Sequence, residues 1–484
     1  MHSTPSLNRA HAVSPRDLAM ADAISALERI VGASGSEART FAGRERIALD
    51  AANEICRHLL CTDLQRLADS HPEEVRVGGE HYRRHERGTV PYHSLCGDLP
   101  VERYTYRQKG VRNSPTIVPV EVAAGLIEGA TPALAYSIAD GIAEMPSRRY
   151  EELIHAAHRH LPSRSTTERL AKRIGNEVRR DIILVEAIVR SDETLPEGAH
   201  AISIGLDRTT VPMAEERPPS QPPTSRRKAR TKPRVRREPP PIDVCYRMAY
   251  VGTVAVVDRN GETLVTRKYA ATAEEGPEDV VTRVMADVVS LRRQRKLPLV
   301  VVQDGAPELW GLVWDALRAA GIPKREWNLT LDRYHVTERI GAVLQELVRD
   351  DDERAAQFAS WRARLETSDR TVHEFSSWTF KTAHMRSKLW NRVAAHHHYL
   401  ESHSSNGYTR YRTMRERGFP TASGVTEGAC KSLIAARCKR SGQRWQQDGL
   451  TAILTLRAVS QSGRMPAVWD NFSRHYQRDV QCLA

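Results

Sequence analysis

The chain has 484 residues, too many for one compact unit when domains run to roughly 100 to 200 residues, so several are expected. Its 72 Lys and Arg against 60 Asp and Glu leave a net charge of +12, which bears on partners rather than on fold and makes nucleic acid the first partner to consider. Seven cysteines without a CxxC pair fit neither a disulfide framework nor a zinc ribbon; the opening residues have no apolar signal core, and no window offers about 18 consecutive apolar residues. A reduced, cytoplasmic protein with no membrane partner is the expectation.

From Ser14 to Leu67 the apolar residues recur at helical spacing, as in Ile24, Leu27, Ile30 and Val31, with Cys56 and Cys61 read as small buried residues of that pattern. Between Val75 and Arg107 short alternating runs broken by glycines predict a small sheet. It ends in VERYTYR, where Tyr104 and Tyr106 share one face and Arg103 and Arg107 the other. Such a surface can track DNA, although a half-buried sheet has the same pattern. Residues 1–110 thus form a helical region followed by a small sheet.

Residues 111–195 return to helices. In PSRSTTERLAKRIGNEVRRD, Ser165 or Thr166 is a candidate cap for a helix presenting Arg169, Lys172, Arg173, Arg179 and Arg180, a face suited to phosphates or simply to water.

At Ala201 the pattern becomes α/β. HAISIGL predicts a strand ending at Asp207, and VCYRMAYVGTVAVVDRNGETLVTRKY two more strands with a turn at Asn260 and Gly261. PEDVVTRVMADVVSLRRQRK follows as a helix. LPLVVVQ then reads as a strand buried on both faces, WGLVWDALRAAG as a helix, and WNLTLDRYH as a strand running into a helix. Residues 212–241 interrupt this block. Eight prolines lie between Pro218 and Pro241, and the basic residues Arg226, Arg227, Lys228, Arg230, Lys232, Arg234, Arg236 and Arg237 stand without an acid among them. That composition predicts an extended insertion that contacts phosphate backbone without reading sequence, or else a plain linker. After the first part of the core, 196–337, residues 338–417 are helical and charged, an insertion, and 418–484 complete the core.

Asp207 and Asp304 each close an apolar strand. If those strands are adjacent and parallel, both carboxylates meet at one edge, where hard oxygen ligands suit Mg²⁺ or Mn²⁺. Two such ions can clamp both oxygens of a phosphoryl transfer. Taken singly, an Asp before Gly is a common turn residue. No P-loop, GxSxG elbow or dinucleotide fingerprint competes.

The order of these elements resembles the ribonuclease-H-like catalytic core of DDE transposases. More specifically, VERYTYRQKGVRNSPTIVPVEVAAGL, IGLDRTTVPM, VVQDGAPELW, LDRYHVTERI and EGACKSLIAARCKRSGQRW, in that order between about Glu73 and Trp469, resemble bacterial insertion-sequence transposases of the Kra-type group. The long Pro and Arg insertion departs from that pattern. The resemblance implies an α/β core, a mixed sheet flanked by helices and interrupted by a helical insertion, preceded by DNA-binding helical and small β regions.

By the same resemblance Asp207, Asp304 and Glu427 are metal ligands for Mg²⁺ or Mn²⁺, two ions in all, and the function is DNA strand cleavage at element ends with 3′-hydroxyl transfer into target DNA. DNA and a homo-oligomeric synaptic complex are the implied partners, with nucleoid association. Asp315, Glu338 and Glu346 lie nearer in sequence to Asp304, but Glu427 starts the helical stripe Cys430, Leu433, Ile434 and Cys438. Lys431 offers it an ordinary salt bridge instead. His335 is implied to orient phosphate or water, or alternatively bonds Asp332 as a core histidine. Trp445 is a base-stacking candidate or a buried anchor. His396, His397 and His398 point in three directions on one helix and suit no single metal. A nuclease without strand transfer and an inactive DNA-binding regulator are the alternatives.

Overall fold

The computed structural model describes residues 39–216 and 242–483, with a few positions between 21 and 35. The basic residues from Arg226 to Arg237 therefore lie outside the described residues. The chain divides into two compact units, Met1–Ile174 with Pro466–Ala484, and Gly175–Met465.

In the first unit the helix Phe41–Asp69, capped by Thr40 Oγ1 accepting from Gly43 N at 3.0 Å, lies on a five-stranded sheet. Its strands are β1 (Glu74–Val77), β2 (Glu80–Ser94), β3 (Gly97–Gln108) and β4 (Thr116–Ile117). Leu64 and Ala68 of the helix meet Tyr92, Leu99 and Val101 in the core. The chain's last strand, Val480–Leu483, pairs antiparallel with β1, so the tail leaves the block 418–484 and joins the first unit. It satisfies the backbone groups that an edge strand would otherwise leave open.

One expectation here is corrected, and at VERYTYR the half-buried-sheet reading is the one the contacts fit. Cys56 is exposed rather than buried, because the helix rests on the sheet along a narrow face; Cys61, half-buried, donates to Pro100 O at 3.2 Å. The tyrosines of VERYTYR serve the sheet itself. Tyr106 is buried with its hydroxyl donating to Pro72 O at 2.6 Å, and the Arg84 guanidinium lies 4.2 Å from the centre of the Tyr104 ring.

The helix Arg164–Arg180 is capped two to three residues earlier than expected, by Ser163, whose Oγ accepts from Thr166 N at 3.3 Å. Arg169 and Arg173 are exposed and Lys172 half-buried, and Arg173 lies 3.7 Å from Glu128. Arg179 is not on the outer face. Its side chain is 17% exposed and sits between Glu275 at 2.5 Å and Asp279 at 2.7 Å.

The second unit is a mixed α/β structure. Its five-stranded sheet runs β7-β6-β5-β8-β9, with β5 (Ala201–Glu216), β6 (Ile242–Val257), β7 (Thr263–Thr272), β8 (Leu299–Gln303) and β9 (Trp327–Leu331). β5, β6 and β7 pair antiparallel, while β8 is parallel to both β5 and β9. Every residue of β8 is buried, as its unbroken apolar run requires. The β6–β7 turn is the expected one, with Gly261 at φ 81° and the Asp258 carboxylate accepting from Asn260 N and Glu262 N.

Side chains alternate along β5. Ile202, Ile204 and Leu206 face the helices Pro277–Gln294 and Pro307–Ala319, whereas Val211 and Met213 face Ala429, Leu433, Leu450 and Leu454 on the other side. Helices thus cover both faces. Between Asp332 and Ser423 the described chain is helical, and Val336, Ile340, Phe375, Leu400 and Tyr411 form that insertion's own core.

β5 does not stop at Asp207. It continues to Glu216, which pairs with Ile242, so residues 217–241 rather than 212–241 separate two arms of one long hairpin. Among the described residues, no helix is long and apolar enough to cross a membrane.

Candidate functional site

Register brings the two strand acids together. Ile204 of β5 is opposite Val301 of β8 in a parallel pair, and Asp207 and Asp304 each lie three residues further along. Asp304 begins the loop into Pro307–Ala319, with its Oδ1 accepting from Ala306 N at 3.0 Å, and Gly305 takes φ +94°. Asp207 Oδ1 accepts from Arg208 N at 2.7 Å.

The third acid arrives from above the sheet. Ser423 precedes the helix Gly424–Ala429, Glu427 N donates to Ser423 O at 2.9 Å, and Thr426 sits over the strands with its Oγ1 2.7 Å from Thr253 Oγ1. Gly205, the strand partner of Thr253, makes room for it: a Cβ there would collide with Thr426 Oγ1. Three residues after Glu427 the helix widens into a π turn, Cys430–Ala435. Such turns recur at functional sites because one extra residue per turn re-aims the side chains around it. Cys430, Leu433, Ile434 and Cys438 are buried as the stripe predicted.

These placements leave an electrostatic imprint on Asp207. Burial pushes its carboxyl above the usual range, and the negative charges of Asp304 and Glu427 push it the same way; the Cys430 thiol and Arg208 N–H, donating to the carboxylate, oppose them. Burial likewise raises the Cys430 thiol, with the Asp207 charge adding to it. An acid raised mainly by burial, with neighbouring acids adding to the shift, is one for which a cation would be favourable.

Beside this pair lies a second convergence. Asp332, His335 and Glu427 offer ligand atoms within 4.8 Å of one another, a spacing that could hold a metal ion. Their roles differ. Asp332 is fully buried, and its carboxylate accepts from Tyr334 N at 2.5 Å, Ser423 N at 2.7 Å and the Ser423 hydroxyl. Ser423 Oγ lies 3.2 Å from Glu427 Oε1, so Asp332 holds the residue that holds Glu427. His335 is not a core histidine bonded to Asp332. It is half-exposed at the start of its helix, Nδ1 is 3.0 Å from Glu338 Oε2, and Nε2 faces Glu427 Oε1 at 3.9 Å.

Glu427 is 30% exposed, and its Oε2 lies 3.7 Å from Lys431 Nζ. Lys431 is 79% exposed, and a pair that open to water contributes little, leaving the carboxylate free to take a better partner.

The helical insertion reaches the site through Ser387–Ser405. Tyr399 Oη donates to Asp304 O at 2.6 Å, and a Cβ on Gly305 would come within 3.0 Å of His403 Nε2. Burial raises the Tyr399 phenol, with the Asp304 charge adding, and burial lowers the His403 imidazole against the opposing pull of Asp304. His396, facing Arg339 at 3.2 Å, and His397, against Trp390, go separate ways as their spacing implied.

Trp445 is an anchor. Its Nε1 donates to Cys438 O at 3.1 Å, its backbone bridges Pro212 and Ala214 of β5, and the Arg437 guanidinium lies 5.0 Å from its ring centre. Residues that motif reading passed over are Gly205, Thr426, Ser423, Tyr399 and His403. Of these only Gly205 carried a signal, a glycine inside an apolar strand, which marks close approach by another backbone or side chain. No protein-family model matches the chain, and no curated protein matches it.

Asp207 gives a pH prediction. With its folded value raised, the native state holds more protons than the unfolded one between the two values, so stability falls as pH rises through that window and the penalty is complete above it. Metal-free Asp207→Asn should therefore melt above metal-free wild type at neutral pH, and the gap should close below the ordinary carboxyl value of 3.8. Mg²⁺ should stabilise the wild type more than the variant. Equal melting at neutral pH without metal would show that Asp207 is not under this strain.

Proposed function

We propose that the second unit is a ribonuclease-H-like catalytic core and that the protein is a DDE-type transposase of the insertion-sequence, Kra-type group. The observation that carries this reading is the parallel register that sets Asp207 beside Asp304, with burial first and then the charges of Asp304 and Glu427 raising the Asp207 carboxyl. Among the described residues the ligand atoms found within 4.8 Å of Glu427 are those of Asp332 and His335, not a group with Asp207 and Asp304. The element order and the quoted motifs support it.

The donor set is three carboxylates with an imidazole at the margin, which fits hard divalent cations such as Mg²⁺ or Mn²⁺. When bound there, such ions supply an activated oxygen nucleophile and neutralise charge on the transferring phosphoryl group. The chain's own contributions are positional. Asp332 and Ser423 fix Glu427, Tyr399 ties the insertion to the Asp304 loop, and His335, with Nε2 3.9 Å from Glu427 Oε1, would orient a phosphate or the attacking water. A cleft of about 390 Å³ lined by Arg333, Tyr334, Glu338 and Arg362 opens beside His335; Arg333 is paired there with Glu366, and Arg362 is the cation that would suit a phosphate backbone. DNA ends are recognised through the region before Val189, including Arg169, Lys172 and Arg173, and two ends are joined in a homo-oligomer.

The test is a cleavage and strand-transfer assay on DNA carrying the element ends, with Mg²⁺. Nicking followed by joining of the 3′ hydroxyl supports a transposase. Nicking without joining reduces the protein to a nuclease, and no cutting in Mg²⁺ or Mn²⁺ favours a DNA-binding regulator.

The basic segment gives a separate expectation. Neutralising Arg226, Arg227, Lys228 and Arg230 should weaken binding to all duplexes alike and flatten the plot of log affinity against log salt by about 0.9 for each phosphate that is no longer neutralised. An unaltered slope in a filter-binding or anisotropy titration would make the segment a tether.

A further inference from the structure

In the first unit, well away in sequence from the acids discussed above, two histidines and an aspartate meet at the closed end of the β2–β3 hairpin. Ser94 pairs with Gly97 and His93 with Asp98, so only Leu95 and Cys96 form the turn. Ser94 Oγ donates to Gly97 O at 2.7 Å and accepts from Cys96 N at 3.1 Å, and Gly97 adopts φ +129°. This turn fixes His93 and Asp98 side by side. His93 is held again from outside the hairpin, its N donating to Gly129 O at 2.8 Å and its O accepting from Thr131 N at 2.9 Å.

The third residue comes from the segment after the helix Ser147–Ala156. His160 N donates to Leu95 O at 2.8 Å, which docks that segment on the turn. Just before it His158 takes φ 52°, an uncommon conformation for a side-chain-bearing residue, and Asn53 secures the bend by donating to His158 O and accepting from Arg159 at 2.6 Å. Backbone contacts therefore place all three residues without help from their side chains. Preorganisation of that kind is what a metal site requires.

The side chains then converge on one oxygen. His93 Nδ1 lies 2.7 Å and His160 Nε2 3.1 Å from Asp98 Oδ1, and the three candidate ligand atoms lie within 4.8 Å of one another. Side-chain exposures of 25% for His93, 50% for Asp98 and 38% for His160 leave an entry path and room for a water ligand. Cys96 is turned elsewhere, with its thiol 3.9 Å from Arg159.

We propose that His93, Asp98 and His160 bind a Zn²⁺ ion, independently of the carboxylates of the second unit. Two imidazole nitrogens and a carboxylate oxygen form a borderline donor set that suits Zn²⁺ better than Mg²⁺, and three protein ligands leave a fourth position for water. The ion would staple the hairpin turn to the segment carrying His160. Because only the folded unit presents the three ligands together, Zn²⁺ binding adds to folding stability.

The test uses the metal-stripped full chain. Since Glu427 belongs to another group that could hold an ion, calorimetric Zn²⁺ titration and thermal unfolding are run in a Glu427→Gln background. One Zn²⁺ per chain should bind there and raise the melting temperature. His160→Gln, His93→Gln and Asp98→Asn should each weaken binding by at least about 10- to 100-fold, the loss that follows removal even of an outer partner. Co²⁺ provides a second readout: its visible absorption should persist in Glu427→Gln and vanish in His160→Gln. Should His93→Gln fail to fold, the more exposed His160 and Asp98 carry the test, with metal-free circular dichroism matching wild type. Failure to take up Zn²⁺ in the Glu427→Gln background, or affinity and Co²⁺ absorption unchanged by His160→Gln and Asp98→Asn, would overturn the proposal and leave two histidines hydrogen-bonded to a shared carboxylate.

Discussion

In the proposed transposase, Asp207→Asn, Asp304→Asn and Glu427→Gln should each lower metal-dependent strand cleavage by roughly three to four orders of magnitude or more, and the triple variant should be little worse than any one of them. The reason is that the three side chains form one charge cluster. Asp207 and Asp304 are set at one level by the parallel register of β5 and β8, and the Glu427 charge is felt at Asp207. In the proposed cation site, removing any one carboxylate would dismantle the whole, so losses do not add. DNA affinity should stay near wild type, because the basic residues proposed to carry it lie elsewhere. Stability should not fall, since each substitution removes a like-charge repulsion and keeps the shape of the side chain. Measured by single-turnover cleavage, calorimetry and melting curves, three separate losses that multiply in the triple variant would mean independent roles. A Glu427→Gln enzyme that cleaves at the wild-type rate would move the third ligand elsewhere, with Asp332 and His335 the nearest groups.

How much of this was legible follows from what kind of information each feature uses. Periodicity is local, so β8 could be read from LPLVVVQ, the β6–β7 turn from Asn260 and Gly261, and the insertion from its unbroken helical charge pattern. The end of β5 could not. After Asp207 the run RTTVPMAEE is only weakly apolar, and it is a strand because β6 supplies a partner for every residue to Glu216. Long-range docking was equally hidden: the terminal strand pairs with β1 some 400 residues earlier, and Arg179 turns inward to Glu275 and Asp279 across a long sequence gap. At the site, acids at strand ends announced themselves by type and spacing, whereas Ser423, accepting from Glu427 N and donating its hydroxyl to Asp332, and Tyr399, donating to the Asp304 backbone, act through individual hydrogen bonds. Nothing in a one-dimensional pattern marks such a bond.

Gly205→Ala should reduce cleavage by about a hundredfold, although Gly205 carries no functional group and lies two residues before Asp207. Its strand partner is Thr253, and Thr426 fills the notch above the pair, with its hydroxyl 2.7 Å from that of Thr253. A Cβ at residue 205 would collide with Thr426 Oγ1, lie 3.2 Å from Thr426 Cβ and 3.1 Å from Val302 O. Backbone and β8 cannot give way, so the helix Gly424–Ala429 must lift. Glu427 is the next residue, and a shift of about 1 Å at a reacting centre costs on the order of a hundredfold in rate. Overpacking should also cost about 1–3 kcal/mol of stability. Thr426→Ala in the same chain removes the colliding hydroxyl and should recover most of the cleavage, while alone it should cost only the hydrogen bond to Thr253. That pattern, a strong coupling between two residues that touch neither metal nor DNA, is measured by a double-mutant cycle on cleavage and on melting. Wild-type cleavage by Gly205→Ala would show that Glu427 is not held in place by the seating of this helix. Loss without rescue by Thr426→Ala would put the fault at Val302 O and the strand, not at the helix.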